Sequence, residues 1–388
     1  MATMRRIQIP QAELMPAETK ASTDPFILIP TLALVGLGIA MVFSASIPMA
    51  AMNESEDVYG YLKRELLFAS VGLLAMWMAS RTPMEKVKRQ AGTLLFLATS
   101  LLVLVLIVGA RVNGAKSWLP IPGTGFRFQP SELAKFIVVI ATARYFAKFP
   151  MGIPHWRRMV PPFAMLGGTV LLIAVEPDMG TAAVLAMAML VYFHIAGAKL
   201  RHLVAAAGAG LVGTTIMVLQ HPYQLQRIVG FFKRTELPLA EGYQATQSLI
   251  ALGSGGLTGR GYTGSIWKYF YLPAEITDSI LAVIGEELGL VATWTVVALF
   301  AILVWRGLAV AGRASDRFSG LVAAGVTCLL GIQALINIAV ATHMMPATGV
   351  PLPFVSYGGS SLVFSLIGVG LLLNVSRHRM DDPESVPT

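Results

Sequence analysis

Residues 91–110 read AGTLLFLATSLLVLVLIVGA, twenty positions without a charged side chain. A helix needs about that many to cross the roughly 30 Å hydrocarbon layer of a bilayer. Comparable runs fall at about 26–46, 65–80, 131–147, 160–175, 181–197, 203–220, 278–304, 319–342 and 360–376. The sequence therefore predicts an all-α fold, a polytopic membrane protein of about ten transmembrane helices. The second, fifth and sixth runs are short and their ends are expected to dip into the interface. Composition agrees: 55% of the 388 residues are hydrophobic and 13% charged, whereas soluble domains carry roughly a quarter charged residues. Mean hydropathy is +0.68. The runs use most of the chain, so 26–376 is read as a single membrane domain.

An even number of spans puts both termini on one side. With that side cytoplasmic, 18 of the 29 Lys and Arg residues lie in or beside the inner loops and tails, which are short enough for the positive-inside rule to act. The net charge of +8 is thus a topological signal, and nucleic acid is not expected as a partner. Residues 1–25 lack the apolar core of a signal peptide and read as a disordered cytoplasmic tail, with 377–388 as a second tail. The one cysteine, Cys328, lies in an apolar run and has no partner for a disulfide or a zinc site. The stretch 221–277, between the seventh and eighth spans, becomes a large extracytoplasmic loop, too long for a connector and rich in Gly, aromatics and amides.

Four polar clusters stand at membrane depth, where charges are expensive and mark function by default. Arg127-Phe128-Gln129-Pro130-Ser131-Glu132-Leu133-Ala134-Lys135 starts a helix at its proline and places Glu132 and Lys135 on one face. That pair reads either as a self-neutralising ion pair or as the charged floor of an outer cavity. Glu176-Pro177-Asp178-Met179-Gly180-Thr181 sets two carboxylates in a tight turn, where Asp178 or Thr181 could also simply cap the next helix. Leu272-Pro273-Ala274-Glu275-Ile276-Thr277-Asp278-Ser279, followed by Glu286-Glu287, puts acid at the mouth of a helix and two turns deeper. Thr277 or Asp278 could simply cap this helix, but capping does not explain Glu286 and Glu287, at least one of which needs a buried Arg or Lys. Finally, 346–361 holds three prolines and three glycines in an apolar setting. It cannot be regular helix and reads as a re-entrant loop, since irregular backbone at that depth must be buried in protein or line a cavity.

These clusters, in this order on ten spans, resemble the SEDS family (shape, elongation, division and sporulation; FtsW/RodA/SpoVE). The matching stretches are 127–135, 176–181, 243–256, 271–289 and 349–361. The loop Tyr262 to Pro273 looks closer to FtsW than to RodA. The resemblance implies a peptidoglycan glycosyltransferase at the bacterial cytoplasmic membrane, active in cell division or cell-shape maintenance, polymerising lipid II on the outer face. It implies a class B penicillin-binding protein and other divisome or elongasome membrane proteins as partners. Asp278 occupies the place of the family's essential aspartate, and Arg127 and Lys135 that of its cationic pair. The pattern departs at Ala274, Ile276 and Ser279, where many members carry Glu, His and Phe, which puts the role of an acid after Pro273 in doubt unless Glu275 substitutes.

The residues suit an inverting transfer. Asp278 takes the proton of the attacking hydroxyl, and cations receive the departing diphosphate. Arg127 and Lys135 are candidates for that, with Lys268 or Arg260 assisting. Glu132, Gln247, Ser356 and Gly358 are further substrate-contact candidates, while Glu176, Asp178, Glu275 and Glu286 are read as supporting positions. No motif demonstrates a cofactor; a divalent cation (Mg or Mn) stays open. The competing readings are a flippase of lipid-linked precursors, disfavoured because the charges gather on one side, and a non-catalytic scaffold.

Overall fold

The computed structural model describes residues 23–52, 59–112, 115–123, 126–149, 155–220, 242–269 and 276–378, with 225, 227, 229, 231 and 232 in addition. Eleven α-helices are present among them: α1 Pro25–Met52, α2 Gly60–Ala79, α3 Met84–Val108, α4 Pro130–Phe146, α5 Val160–Val175, α6 Met179–Ile195, α7 Leu200–Gln220, α8 Gly242–Ser254, α9 Ile280–Gly312, α10 Arg317–Ala341 and α11 Gly359–Arg377. Each of the ten expected runs falls on a helix. Six helices (α1, α3, α7, α9, α10 and α11) are long and apolar enough to cross a membrane, and α5 and α6 are shorter apolar helices. The chain is a polytopic, helical membrane protein.

Two features depart from the expected connecting segments. Three strands form an antiparallel sheet, β1 Ala110–Val112, β2 Ala115–Pro120 and β3 Arg127–Phe128. Between α3 and α4 the chain thus pairs with itself and satisfies its backbone without a helix. The second departure is α8, which lies inside the stretch expected as an outer loop.

Polar ties hold the two ends of the bundle. At one end Arg306 pairs with Asp24 at 2.7 Å, Arg377 binds Thr23 at 2.7 Å, and Asn374 donates to the carbonyls of Ala79 and Thr82. At the other, the Lys116 N–H donates to the Glu176 carbonyl, Gln129 donates to Asp178 at 3.0 Å, and the Gln129 N–H donates to Ser360 Oγ. Helices α4, α10 and the first turns of α9 form the buried middle. Where α2 meets α11 the backbones nearly touch: a Cβ on Gly370 would stand 2.4 Å from the Met76 carbonyl oxygen. Small residues allow such approach where lipid supplies no hydrophobic drive between helices.

Candidate active site

Helix α9 is broken. At Gly289 the backbone takes φ 78° and ψ −174°, a left-handed conformation that favours glycine. The break frees carbonyls on one side and N–H groups on the other. Residues 255–261 supply the missing partners. The Arg260 and Gly261 N–H groups donate to the Glu286 and Glu287 carbonyls at 2.9 Å, and the Leu290 N–H donates to Gly256 at 2.9 Å. A Cβ on Gly289 would lie 2.4 Å from the Gly259 nitrogen. The segment expected as outer loop therefore threads into the bundle beside α1, where the Tyr262 hydroxyl donates to the Ala40 carbonyl.

This insertion answers the question posed by Glu286 and Glu287. Lys268 Nζ lies 2.8 Å from Glu287 Oε1, and both side chains have no solvent exposure. Lys268 also donates to Ser44 Oγ and the Thr263 carbonyl, while Glu287 accepts from Ser44 and from the Thr263 N–H. Glu286 accepts from Ser265 and from the N–H groups of Ile266 and Trp267, with Arg260 3.8 Å away. Lys268 is thus not free to meet a phosphate, contrary to expectation. Its ammonium is fully committed because an unpaired buried Glu287 would be too costly.

Residues 346–358 form the second irregular segment. After α10 the chain runs without helix to Gly359, and Val350, Leu352, Phe354 and Val355 are buried. It reaches deep: Phe354 stacks on Phe300 with centroids 6.3 Å apart, and its carbonyl packs on Gly38, midway along α1. Phe300 lies eleven residues beyond the break in α9, about 16 Å along the helix. Amides one turn apart on α10 secure the segment. Gln333 donates to the Pro351 carbonyl at 3.0 Å, and Asn337 to the carbonyls of Val350 at 2.9 Å and Asp278 at 3.1 Å. Ser356 Oγ donates to the Thr277 carbonyl at 2.6 Å and accepts from the Leu352 N–H, and the Tyr357 N–H donates to Ile276. Ser356, expected to touch substrate, is instead a brace between this segment and the Asp278 turn, its hydroxyl used in both directions. Gly358 precedes α11 in extended backbone, φ 179°, which any residue can adopt.

Around this brace stand the charges. Lys135 donates to Glu132 Oε1 and to the Gln333 side-chain Oε1, both at 2.9 Å, with each charged side chain about 97% buried or more. The acid sits in the first turn of α4, where the helix dipole favours it. Asp178 caps α6 through the Thr181 N–H at 3.1 Å and accepts from Gln129. It therefore caps and joins the cluster at once. Burial, and then the Asp178 charge, push Glu176 up to about 8, so its carboxyl is neutral near pH 7.

Asp278 lies in the turn before α9. Its Oδ2 and Arg227 Nη1 approach the same point above Gly349, 3.7 and 3.8 Å from a Cβ built there. Arg227 also donates to the Ala347 carbonyl at 3.3 Å. Burial pushes the Asp278 carboxyl up to about 6, the Arg227 charge opposing and the Asp178 charge adding to the rise. A carboxyl at that value is ionised at neutral pH yet basic enough to take a proton.

The structure therefore gathers Asp278, Asp178, Glu132 and Lys135 at one end of the bundle. Arg127 is exposed on β3. Gln247 lies in α8 with a buried Oε1 that has no hydrogen-bond partner among the described residues. Glu275 lies outside the described residues. Among the described residues no group of three His, Cys, Asp or Glu is placed to hold a metal ion. Sequence reasoning missed Arg227, Gln333 and Asn337. The two amides carried a signal, polar side chains four apart in an apolar run; Arg227 carried none.

The FtsW/RodA/SpoVE family profile, described as cell cycle protein, matches residues 25–381. Stage V sporulation protein E of Bacillus subtilis is 39% identical over 92% of this chain and 98% of its own length. The probable peptidoglycan glycosyltransferase FtsW of Trichlorobacter lovleyi is 38% identical over 92% and 93%. Among solved structures, a chain from work on the structural coordination of polymerization and crosslinking by a peptidoglycan synthase complex superposes with a TM-score of 0.76 at 32% identity, covering 93% of this chain and 99% of that one. The rod shape determining protein RodA of Thermus thermophilus gives 0.69 at 28% identity, with the same coverage.

Proposed function

This chain belongs to the FtsW/RodA/SpoVE family, and on that premise we propose that it is a peptidoglycan glycosyltransferase that polymerises lipid II into glycan strands. The observation that carries the mechanism is the placement of the Asp278 carboxyl beside Arg227, above Gly349. The acceptor sugar hydroxyl loses its proton to Asp278 as its oxygen attacks the anomeric carbon of the donor. The bond from that carbon to the undecaprenyl diphosphate breaks, and the configuration inverts. Arg227 and the exposed Arg127 supply positive charge where the diphosphate gathers negative charge. Lys135 acts through Gln333, which holds the 346–358 segment against the Asp278 turn.

Ten helices cross the membrane in this reading, with both termini cytoplasmic and Asp278 on the extracytoplasmic side. The excess of Lys and Arg at the Asp24–Arg306 end supports that orientation. The lipid tail enters sideways between helices, so the substrate never leaves the bilayer. A class B penicillin-binding protein is the partner expected to crosslink the product. The test is purified protein with lipid II, alone and with its transpeptidase, comparing wild type with Asp278→Asn. Loss of glycan product from a variant that melts no lower than wild type supports the assignment. Product of undiminished length and rate from Asp278→Asn rules out Asp278 as the base.

A further inference from the structure

At the end of the bundle opposite Asp278, α3, α4 and α5 leave a groove of about 220 Å³. Its floor is apolar, with Gly92 and Leu95 from α3 and Ala141 from α4, and its rim carries Arg144, Tyr145 and Lys148. We propose that this groove binds an anionic phospholipid, the headgroup phosphate resting on Arg144 and Lys148 and an acyl chain lying along the floor.

Three observations carry the assignment. First, the charge is one-sided: both charged residues lining the groove are cations, both are exposed, and no acid lines it. Arg144 gives one N–H to the Arg89 carbonyl at 3.2 Å, a neutral partner that leaves its charge uncompensated. The Tyr145 hydroxyl donates to the Arg158 carbonyl at 2.9 Å, which ties a further basic segment, Arg157–Arg158, to the same rim. The nearby acid on α3, Glu85, already pairs with Lys88 at 3.3 Å. Second, the groove has a way in from the side. Phe96 and Leu97, next along α3, are 75% and 50% exposed, and Val160 on α5 is 50% exposed, as expected of faces that meet acyl chains. Third, the surface at Gly92 is open, since a Cβ there would meet only Arg144 Nη1, at 3.7 Å. Basic pockets between membrane helices with an apolar lower wall fit a phosphate head and its tail together. The inference requires only that these helices cross a bilayer. It does not depend on the polymerase reading.

The test uses the full-length protein in neutral detergent, titrated with phosphatidylglycerol and read by native mass spectrometry. Phosphatidylcholine with the same chains and free glycerol phosphate are run in parallel. Each Lys or Arg near an anionic headgroup contributes about fivefold, so Arg144→Gln with Lys148→Gln should weaken phosphatidylglycerol binding ~25-fold. Gly92→Phe, which fills the floor and keeps both charges, should also abolish it. Lys199→Gln with Arg201→Gln removes the same charge from another turn and should leave binding unchanged. The proposal is overturned if phosphatidylcholine binds equally, if the Lys199/Arg201 variant loses as much, or if glycerol phosphate displaces the lipid completely. Should the Arg144/Lys148 variant fail to fold, Gly92→Phe against wild type decides the question.

Discussion

Lys268→Met separates two roles for the one lysine that the inserted segment brings into the bundle. The ammonium and the Glu287 carboxylate lie 2.8 Å apart with no exposure on either side. Removing the lysine leaves the carboxylate with Ser44 and the Thr263 N–H but no counter-charge. Removing one partner of a buried pair costs about 3–5 kcal/mol. For a chain of this size that amounts to a melting shift on the order of 1 °C per kcal/mol, so the variant should melt ~4 °C lower. Glu287→Gln should cost a similar amount, and the double variant Lys268→Met/Glu287→Gln should recover most of the loss. The cycle should then return a coupling of about 3 kcal/mol or more, read by thermal unfolding in detergent. Activity supplies the second readout. If the lysine is structural, the double variant polymerises lipid II at a temperature where it stays folded. Additive single effects, or a folded and stable Lys268→Met protein without activity, would refute the structural role and restore Lys268 as a phosphate contact.

Gly289→Ala should cost about 3 kcal/mol or more, because it combines a left-handed φ with a 2.4 Å backbone collision; a variant with wild-type melting temperature would show that the break is not held as described. Gln333→Leu, which removes both the Lys135 partner and the Pro351 tie, should lower kcat at least tenfold through loosening of the 346–358 segment, and an unchanged turnover in steady-state polymerisation would contradict that link. The rate should rise with pH through about 6 as Asp278 ionises, and Arg227→Gln should move that limb upward; a flat profile between pH 5 and 7 excludes Asp278 as base. Because the folded carboxyl sits above its ordinary 3.8, the folded state holds a proton that the unfolded chain has released between about pH 4 and 6. Stability therefore falls as pH rises across that window, and Asp278→Asn should exceed wild type at pH 7.5 by on the order of 3 kcal/mol, the gap closing below pH 4.

The helical runs were legible because each is a contiguous property of the sequence. The long apolar stretch at 91–110 names itself, and Pro130 marks the start of α4 within a residue. The inserted segment was not legible. Residues 255–269 are rich in glycine and polar groups, and on their own they read as a solvated loop. Only the helix break at Gly289, which offers unpaired carbonyls at Glu286 and Glu287, gives that segment a reason to be inside. The sequence showed the debt of two acids in an apolar run, but their creditor lay 19 residues away in a stretch with no periodicity. The same holds for the site. Asp278, Asp178 and Glu132 stood out as acids at span ends, whereas Gln333 and Asn337 were submerged in the hydropathy of α10. Arg227 lies in a stretch with no pattern to place it.

The two irregular segments explain each other. A helix broken at Gly289 and a non-helical strap at 346–358 would each leave backbone groups unsatisfied in a membrane, yet both are paired, one by 255–261 and the other by Gln333, Asn337 and Ser356. Both sets of partners fix the same short turn: α9 carries it at one end, and the strap holds the carbonyls of Ile276 and Thr277 at the other. What remains for Asp278 is little backbone freedom and a side chain facing Arg227. In the proposed mechanism, a base held this way needs no reorganisation as charge develops on a sugar oxygen, and that is where preorganised sites gain most of their rate. The irregular backbone is therefore the means by which an apolar bundle holds one carboxylate still.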